Sequence, residues 1–167
     1  MGIRYHDEIQ QRLAQAPPAS ILSIGPHGPT FFADYLAAHP DCRFTQLAAD
    51  KALTQLPEIG RVDFALVAET LERLSKTDAG ALLARLRDLH AGRFVAVVPL
   101  GDAWPNNASR WTRDELMAYG LQRIAEYPEA HGALVLFFFD ITQYKQTPDW
   151  LNSQYWAHPE RFDKFRW

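Results

Sequence analysis

Apolar residues recur every fourth position at the start of the chain. Tyr5, Ile9 and Leu13 fall on one face of a helix predicted over residues 4–16. Pro17 and Pro18 end it, because proline has no amide hydrogen to continue the ladder. Residues 21–24, Ile-Leu-Ser-Ile, read as a short buried strand running into Gly25. Pro29 suits a first helical turn, and Phe31, Phe32, Tyr35 and Leu36 give the next helix its apolar face until Pro40. Arg43–Leu47 reads as a second strand and residues 50–56 as one or two helical turns. Residues 62–67 are a third strand, whose unbroken apolar run suits cover on both faces. Ser75 followed by Asp78 marks a helix start, with Leu82, Leu86 and Leu89 along one face up to Gly92. Residues 94–98 form a fourth strand, and residues 100–110 a loop. Thr112 and Glu115 make a capping-box pattern for a helix that stops near Gly120. Residues 121–127 and 133–139 then read as a hairpin.

Strands and helices alternating with short joints predict an α/β fold: a doubly wound, mostly parallel sheet of about six strands with a C-terminal antiparallel hairpin. Residues 1–147 make one α/β domain, opened by an N-terminal helix within residues 1–18. Residues 148–167 form a tail rich in aromatic and charged side chains, including Trp150, Tyr155, Trp156, Phe162, Phe165 and Trp167. Such a tail packs its rings on the domain or on a partner subunit.

The chain has 167 residues, 47% hydrophobic, which suits one domain with a sizeable core. Its net charge of -3 speaks against nucleic acid as a partner. The interleaved Arg161, Lys164 and Arg166 in the tail are offset by Glu160 and Asp163. One cysteine, Cys42, leaves no internal disulfide and points to a reducing compartment. The first fourteen residues are polar and lack a signal-peptide pattern, and the apolar run at 133–139 is too short to span a bilayer. The expectation is a cytoplasmic, bacterial-type protein without a membrane anchor. The six histidines show no zinc spacing, so no metal is expected. A phosphate-loop lysine motif and a nucleophile elbow are both absent from the sequence.

Three stretches carry a resemblance. Residues 21–25 stand as a first strand with its glycine turn. Residues 62–74 (VDFALVAETLERL) stand as a fourth strand and the segment after it. Residues 82–99, with a turn at Ala91-Gly92, stand as the next helix and strand, before a helix start at Trp111-Thr112. Over roughly residues 20–140 the chain resembles the class I S-adenosylmethionine (SAM) methyltransferases, as a shortened member with a degenerate motif. The resemblance implies SAM as cofactor, held near Ser23, Gly25, His27, Gly28, Asp50 and Glu69. It implies a substrate side at the loop carrying Asp102, Trp104 and Asn106.

The chain departs from the family at positions that matter. The family's first turn reads acid-x-Gly-x-Gly-x-Gly, and these positions hold Ser23, Gly25, His27 and Pro29, with Gly28 out of step. Glycines serve there because the backbone must come close to the cofactor. The ribose-binding acid would fall near Ala48, with Asp50 two residues beyond. The stretch before residue 62 has room for a single crossover, so the family's third strand is expected to be missing. Arg43–Leu47 would then be a sheet edge, covered by the N-terminal helix, the tail or a second copy in a homodimer.

Each candidate carries two readings. His27 is a ligand contact or general base, or a turn histidine bonded to nearby backbone. Glu69 and Glu72 are pocket carboxylates, or a solvated acidic turn paired with Arg73. Asp102, Trp104, Asn106 and Asn107 hold a planar or polar molecule, or form an ordinary loop with Trp104 packed down. For the whole protein, one reading is a non-catalytic module binding a small molecule or a protein partner. The other is an active small methyltransferase with a non-standard pocket.

Overall fold

Successive side chains on a strand point to opposite faces, and here both faces find apolar cover. The computed structural model describes residues 4–102 and 104–144. Six strands form one sheet: β1 (Ser20–Ile24), β2 (Arg43–Leu47), β3 (Val62–Ala68), β4 (Ala91–Leu100), β5 (Gln122–Glu129) and β6 (Gly132–Asp140). Their order is β2-β1-β3-β4-β6-β5. The first four strands run parallel, and β6 lies antiparallel between β4 and β5. This is the doubly wound, mostly parallel sheet with a terminal antiparallel hairpin that the element order predicts. Between β2 and β3 the chain forms only helical turns, α4 (Ala52–Gln55) among them, so β2 is a sheet edge among the described residues.

One face is covered by α1 (His6–Gln15), α2 (Gly28–Phe31) and α3 (Ala33–Ala38). Tyr5, Ile9, Leu13 and Phe32 pack there with Ile21, Phe64, Val95 and Phe138. The other face is covered by α4, α5 (Lys76–Arg85) and α6 (Arg113–Ala118), with Leu56, Leu82, Leu86 and Leu116 against Leu22, Ala65, Phe94 and Phe137. Full burial of one such side chain is worth about 1.5–3 kcal/mol relative to leaving it exposed. Ser75 caps α5 by accepting from the Asp78 amide, and Thr112 with Glu115 forms the expected capping box on α6.

Some sequence expectations fail locally. The helix after Pro29 is two short pieces that meet at Phe32. After α5 the backbone widens into a π turn, Leu86–His90, and runs directly into β4. The wider turn breaks the 3.6-residue period, so Leu89 swings outward and is 62% exposed. The turn expected at Ala91-Gly92 is instead the start of β4. The N-terminal helix does not run along β2. It lies across the first face, with Arg12 over the Phe138 ring and Arg4 paired to Glu129 at the far end of β5. The tail expected to pack on the domain or a partner lies outside the described residues. No helix among those described is long and apolar enough to cross a membrane.

Candidate functional site

The carboxyl ends of β1, β2 and β3 open into a cleft of about 540 Å³. Gly25 forms its floor with φ of 125°, a conformation that side-chain-bearing residues avoid. A Cβ there would also collide with the Ala68 carbonyl oxygen. The turn is held on both sides: the Gly25 amide donates to Leu47 O at 3.0 Å, and Gln46 Nε2 donates to Gly25 O at 2.7 Å. The buried Thr70 hydroxyl sits 3.0 Å from Ile24 O and 2.9 Å from Ala68 O, stitching β1 to β3.

Across the cleft mouth runs a charged bridge. Glu69 Oε1 lies 2.7 Å from His27 Nε2, and its Oε2 accepts from Arg73 Nη2 at 2.7 Å. A carboxylate only accepts, so the His27 ring nitrogen is the donor. Glu69 reaches both partners from a left-handed backbone, φ 49°. That conformation is costly for a non-glycine residue and is found preferentially at functional positions. All three side chains are about half exposed, so the bridge adds little to stability. Its effect is on the charge of the cleft. Asp50 also lines the cleft, and its carboxylate has no hydrogen-bond partner among the described residues.

The structure thus brings Gly25, Asp50 and Glu69 together, with His27 at the rim. Ser23 and Gly28 are placed elsewhere. Ser23 is buried beneath Gly28, where a Cβ would run into the Ser23 side chain. They form a packing contact that lets α2 lie directly on β1, away from the cleft lining. Sequence reasoning missed Gln46 and Leu74 in the lining.

The loop after β4 does not join the cleft. Trp104 Nε1 donates to Leu100 O at 2.9 Å, and its ring lies against His131 and Gly132 of the hairpin. Asn106 takes a left-handed turn conformation, φ 63°. Asp102 is fully exposed, 4.0 Å from Arg110, on a separate open groove of about 810 Å³. The loop's far end is tied down: the Ala108 amide donates to Glu72 O at 2.7 Å, and Ser109 Oγ donates to Leu71 O at 2.7 Å.

Glu72 has its side chain turned inward. Its Oε2 is buried without a hydrogen-bond partner, and burial raises its pKa. Burial, then the charges of Glu69 and Glu72, push the Tyr5 phenol up to about 12. The described residues hold no group of three or more His, Cys, Asp or Glu suited to a metal ion.

A parallel sheet ending in an antiparallel hairpin, with a ligand-sized cleft at the first glycine turn, defines a protein of methyltransferase-type Rossmann-like fold. Solved structures bear out that class. The chain is similar to magnesium protoporphyrin IX methyltransferase (ChlM) from Synechocystis PCC 6803 with bound SAH, with TM-score 0.56, 12% identity and 81% of each chain covered. It is similar to Burkholderia thailandensis 1,6-didemethyltoxoflavin-N1-methyltransferase, with TM-score 0.55, 19% identity, and 81% and 76% covered. With the mitomycin 7-O-methyltransferase MmcR the TM-score is 0.50 and the identity 19%, over 81% of this chain and 54% of that one. The chain therefore spans about half the length of MmcR. The chain belongs to the family of unknown function DUF6231, whose model matches residues 4–167. No curated protein matches its sequence.

Proposed function

We propose that this chain is a non-catalytic small-molecule-binding domain on a degenerate methyltransferase-type fold. The observation that carries the reading is the double engagement of Glu69 by His27 and Arg73. A sulfonium cofactor brings two positive charges, on sulfur and on its amino group, and needs free carboxylate nearby. Here the acid closest to the turn is already bonded to His27 and paired with Arg73, and Arg73 itself lines the cleft. The family's acidic position is Ser23, buried under α2. The first turn therefore offers SAM no unpaired carboxylate. Asp50 remains free to accept from sugar hydroxyls. The cleft suits a molecule that carries such hydroxyls, a nucleoside being the simplest. A protein partner or second copy along the β2 edge or at the tail is a further part of this proposal, resting on the open edge.

The second reading is an active small SAM-dependent methyltransferase. It is favoured by a cleft at the place where open α/β sheets bind ligands and by the likeness to enzymes solved with SAH. Methyl transfer needs mainly the in-line placement of acceptor and donor, so no dedicated catalytic side chain is compulsory.

Calorimetric titration with SAM, S-adenosylhomocysteine and adenosine separates the two. The binding-module reading expects adenosine to bind and SAM to show no heat at millimolar concentration. Submillimolar SAM affinity that is weakened by Glu69→Gln or His27→Ala would overturn it in favour of the enzyme.

A further inference from the structure

A second cavity lies at the opposite, amino-terminal end of the sheet. The short crossover between β2 and β3 leaves the second face of β2 without a full covering helix. Arg43 and Thr45 share that face with the buried Leu47, because alternate residues of a strand point the same way. Glu58, Gly60 and Arg61, in the segment entering β3, stand opposite. Between them is a cavity of about 260 Å³.

Its two arginines differ from all the others described. Arg4, Arg73, Arg87, Arg113 and Arg123 pair with carboxylates, and Arg110 approaches one. Arg85 and Arg93 donate to carbonyls, and Arg12 lies over a ring. Neither the Arg43 nor the Arg61 guanidinium has a hydrogen-bond or ion-pair partner among the described residues, and the Thr45 hydroxyl has none either. The nearby Asp63 carboxylate is occupied: its Oδ2 accepts from the Ala19 amide at 2.9 Å and from the Ser20 amide and hydroxyl at 3.1 Å each. Glu58 lines the same cavity without pairing to either arginine.

We propose that this cavity is an oxyanion site, in which Arg43 and Arg61 hold the phosphate or carboxylate group of a small molecule and Thr45 donates a further hydrogen bond. Arg43 and Arg61 both line this space, and guanidinium forks match the planar edges of such groups. The small volume and the chain's net charge of -3 favour a small anion over a polyanion. The site stands apart from the cleft at Gly25 and does not depend on what that cleft binds.

The test uses the full chain with inorganic phosphate, and acetate in parallel, against sodium chloride at matched ionic strength. Calorimetry and thermal unfolding should show saturable binding below about 10 mM for at least one oxyanion and a rise in Tm absent with chloride. Whichever anion binds more tightly names the preferred group. Arg61→Ala, at an exposed position just before β3, should weaken binding about tenfold with an unchanged circular dichroism spectrum. Glu58→Gln should tighten it several-fold by removing a like charge, an effect that a purely structural Glu58 would not give. An oxyanion response no larger than that of chloride, or an affinity unmoved by both substitutions, overturns the proposal.

Discussion

The turn after β1 and the loop after β4 both follow the carboxyl ends of parallel strands, and both carry residues of the kind that make ligand sites. They use them differently. Around Gly25 the backbone does the building, and polar side chains are left at the surface of a cleft, with Asp50 free and Glu69 bridged. In the loop after β4 the side chains do the building. Trp104 bonds to Leu100, Ser109 bonds to Leu71, and the Trp111 indole donates to Ser109. Residue type and position locate both regions. The partners of the polar atoms decide which one is available to a ligand.

The strongest challenge to this contrast is Gly25→Ala. The substitution adds a Cβ at φ 125° against the Ala68 carbonyl, a backbone atom that cannot swing aside. A loss of about 3 kcal/mol or more is expected, from strain and displacement of β3 together. It should appear as a lower urea midpoint. A variant as stable as the parent would mean that the turn is not built as described.

Trp104→Ala comes next. The indole is half-buried and supplies one hydrogen bond, so its removal should cost about 2 kcal/mol. Ligand affinity at the cleft should stay unchanged, since Trp104 does not line it. A variant that keeps its stability but loses nucleoside binding would reverse the roles assigned to the two regions.

The sequence showed the scaffold better than the site. Strand positions followed from unbroken apolar runs because both sheet faces are buried, and the Thr112–Glu115 box is a local interaction that needs no tertiary help. Leu89 was misread because a π turn is invisible to a 3.6-residue period. Gly25 was legible as the glycine that ends the first strand, whereas Asp50 lies in the helical turn beyond β2 and was reached only through the family's ribose-binding position. The contact of Glu69 with His27 was not legible, because the two lie far apart in the chain and meet only through the pairing of β1 with β3. Ser23 and Gly28 looked like cofactor residues. Only the three-dimensional approach of α2 to β1 shows that they pack on each other. The inward turn of Trp104 depends on the hairpin, some thirty residues further along the chain.

Glu72 sits where the two regions meet, its carbonyl holding the loop and its carboxyl turned inward. Burial raises its folded pKa above the ordinary carboxyl value of 4.5. The folded protein therefore keeps a proton that the unfolded chain releases within the window from 4.5 up to the higher folded value. Stability should fall as pH rises through that window and become level above it. Glu72→Gln should remove this slope and gain on the parent as the pH is raised toward neutrality, read from urea midpoints across the range. A parent whose stability rises through the same window, with the slope kept in the variant, would show that the carboxyl is not held neutral.

The smallest effect belongs to Asp102→Asn, and the contrast depends on its being small. The Asp102 carboxylate is fully exposed, and its nearest cation, Arg110, is 4.0 Å away and itself mostly in solvent. An ion pair in water at that distance is screened and gains little for the side-chain freedom it removes. It lines the open groove beside β4 and not the cleft at Gly25. No change should be measurable in the unfolding midpoint or in nucleoside affinity. A tenfold loss of affinity with unchanged stability would require the loop to fold over the bound molecule. The two regions would then be a single site, joined only when the ligand is present, and the division between a cleft-forming turn and a self-bonded loop would describe the empty protein alone.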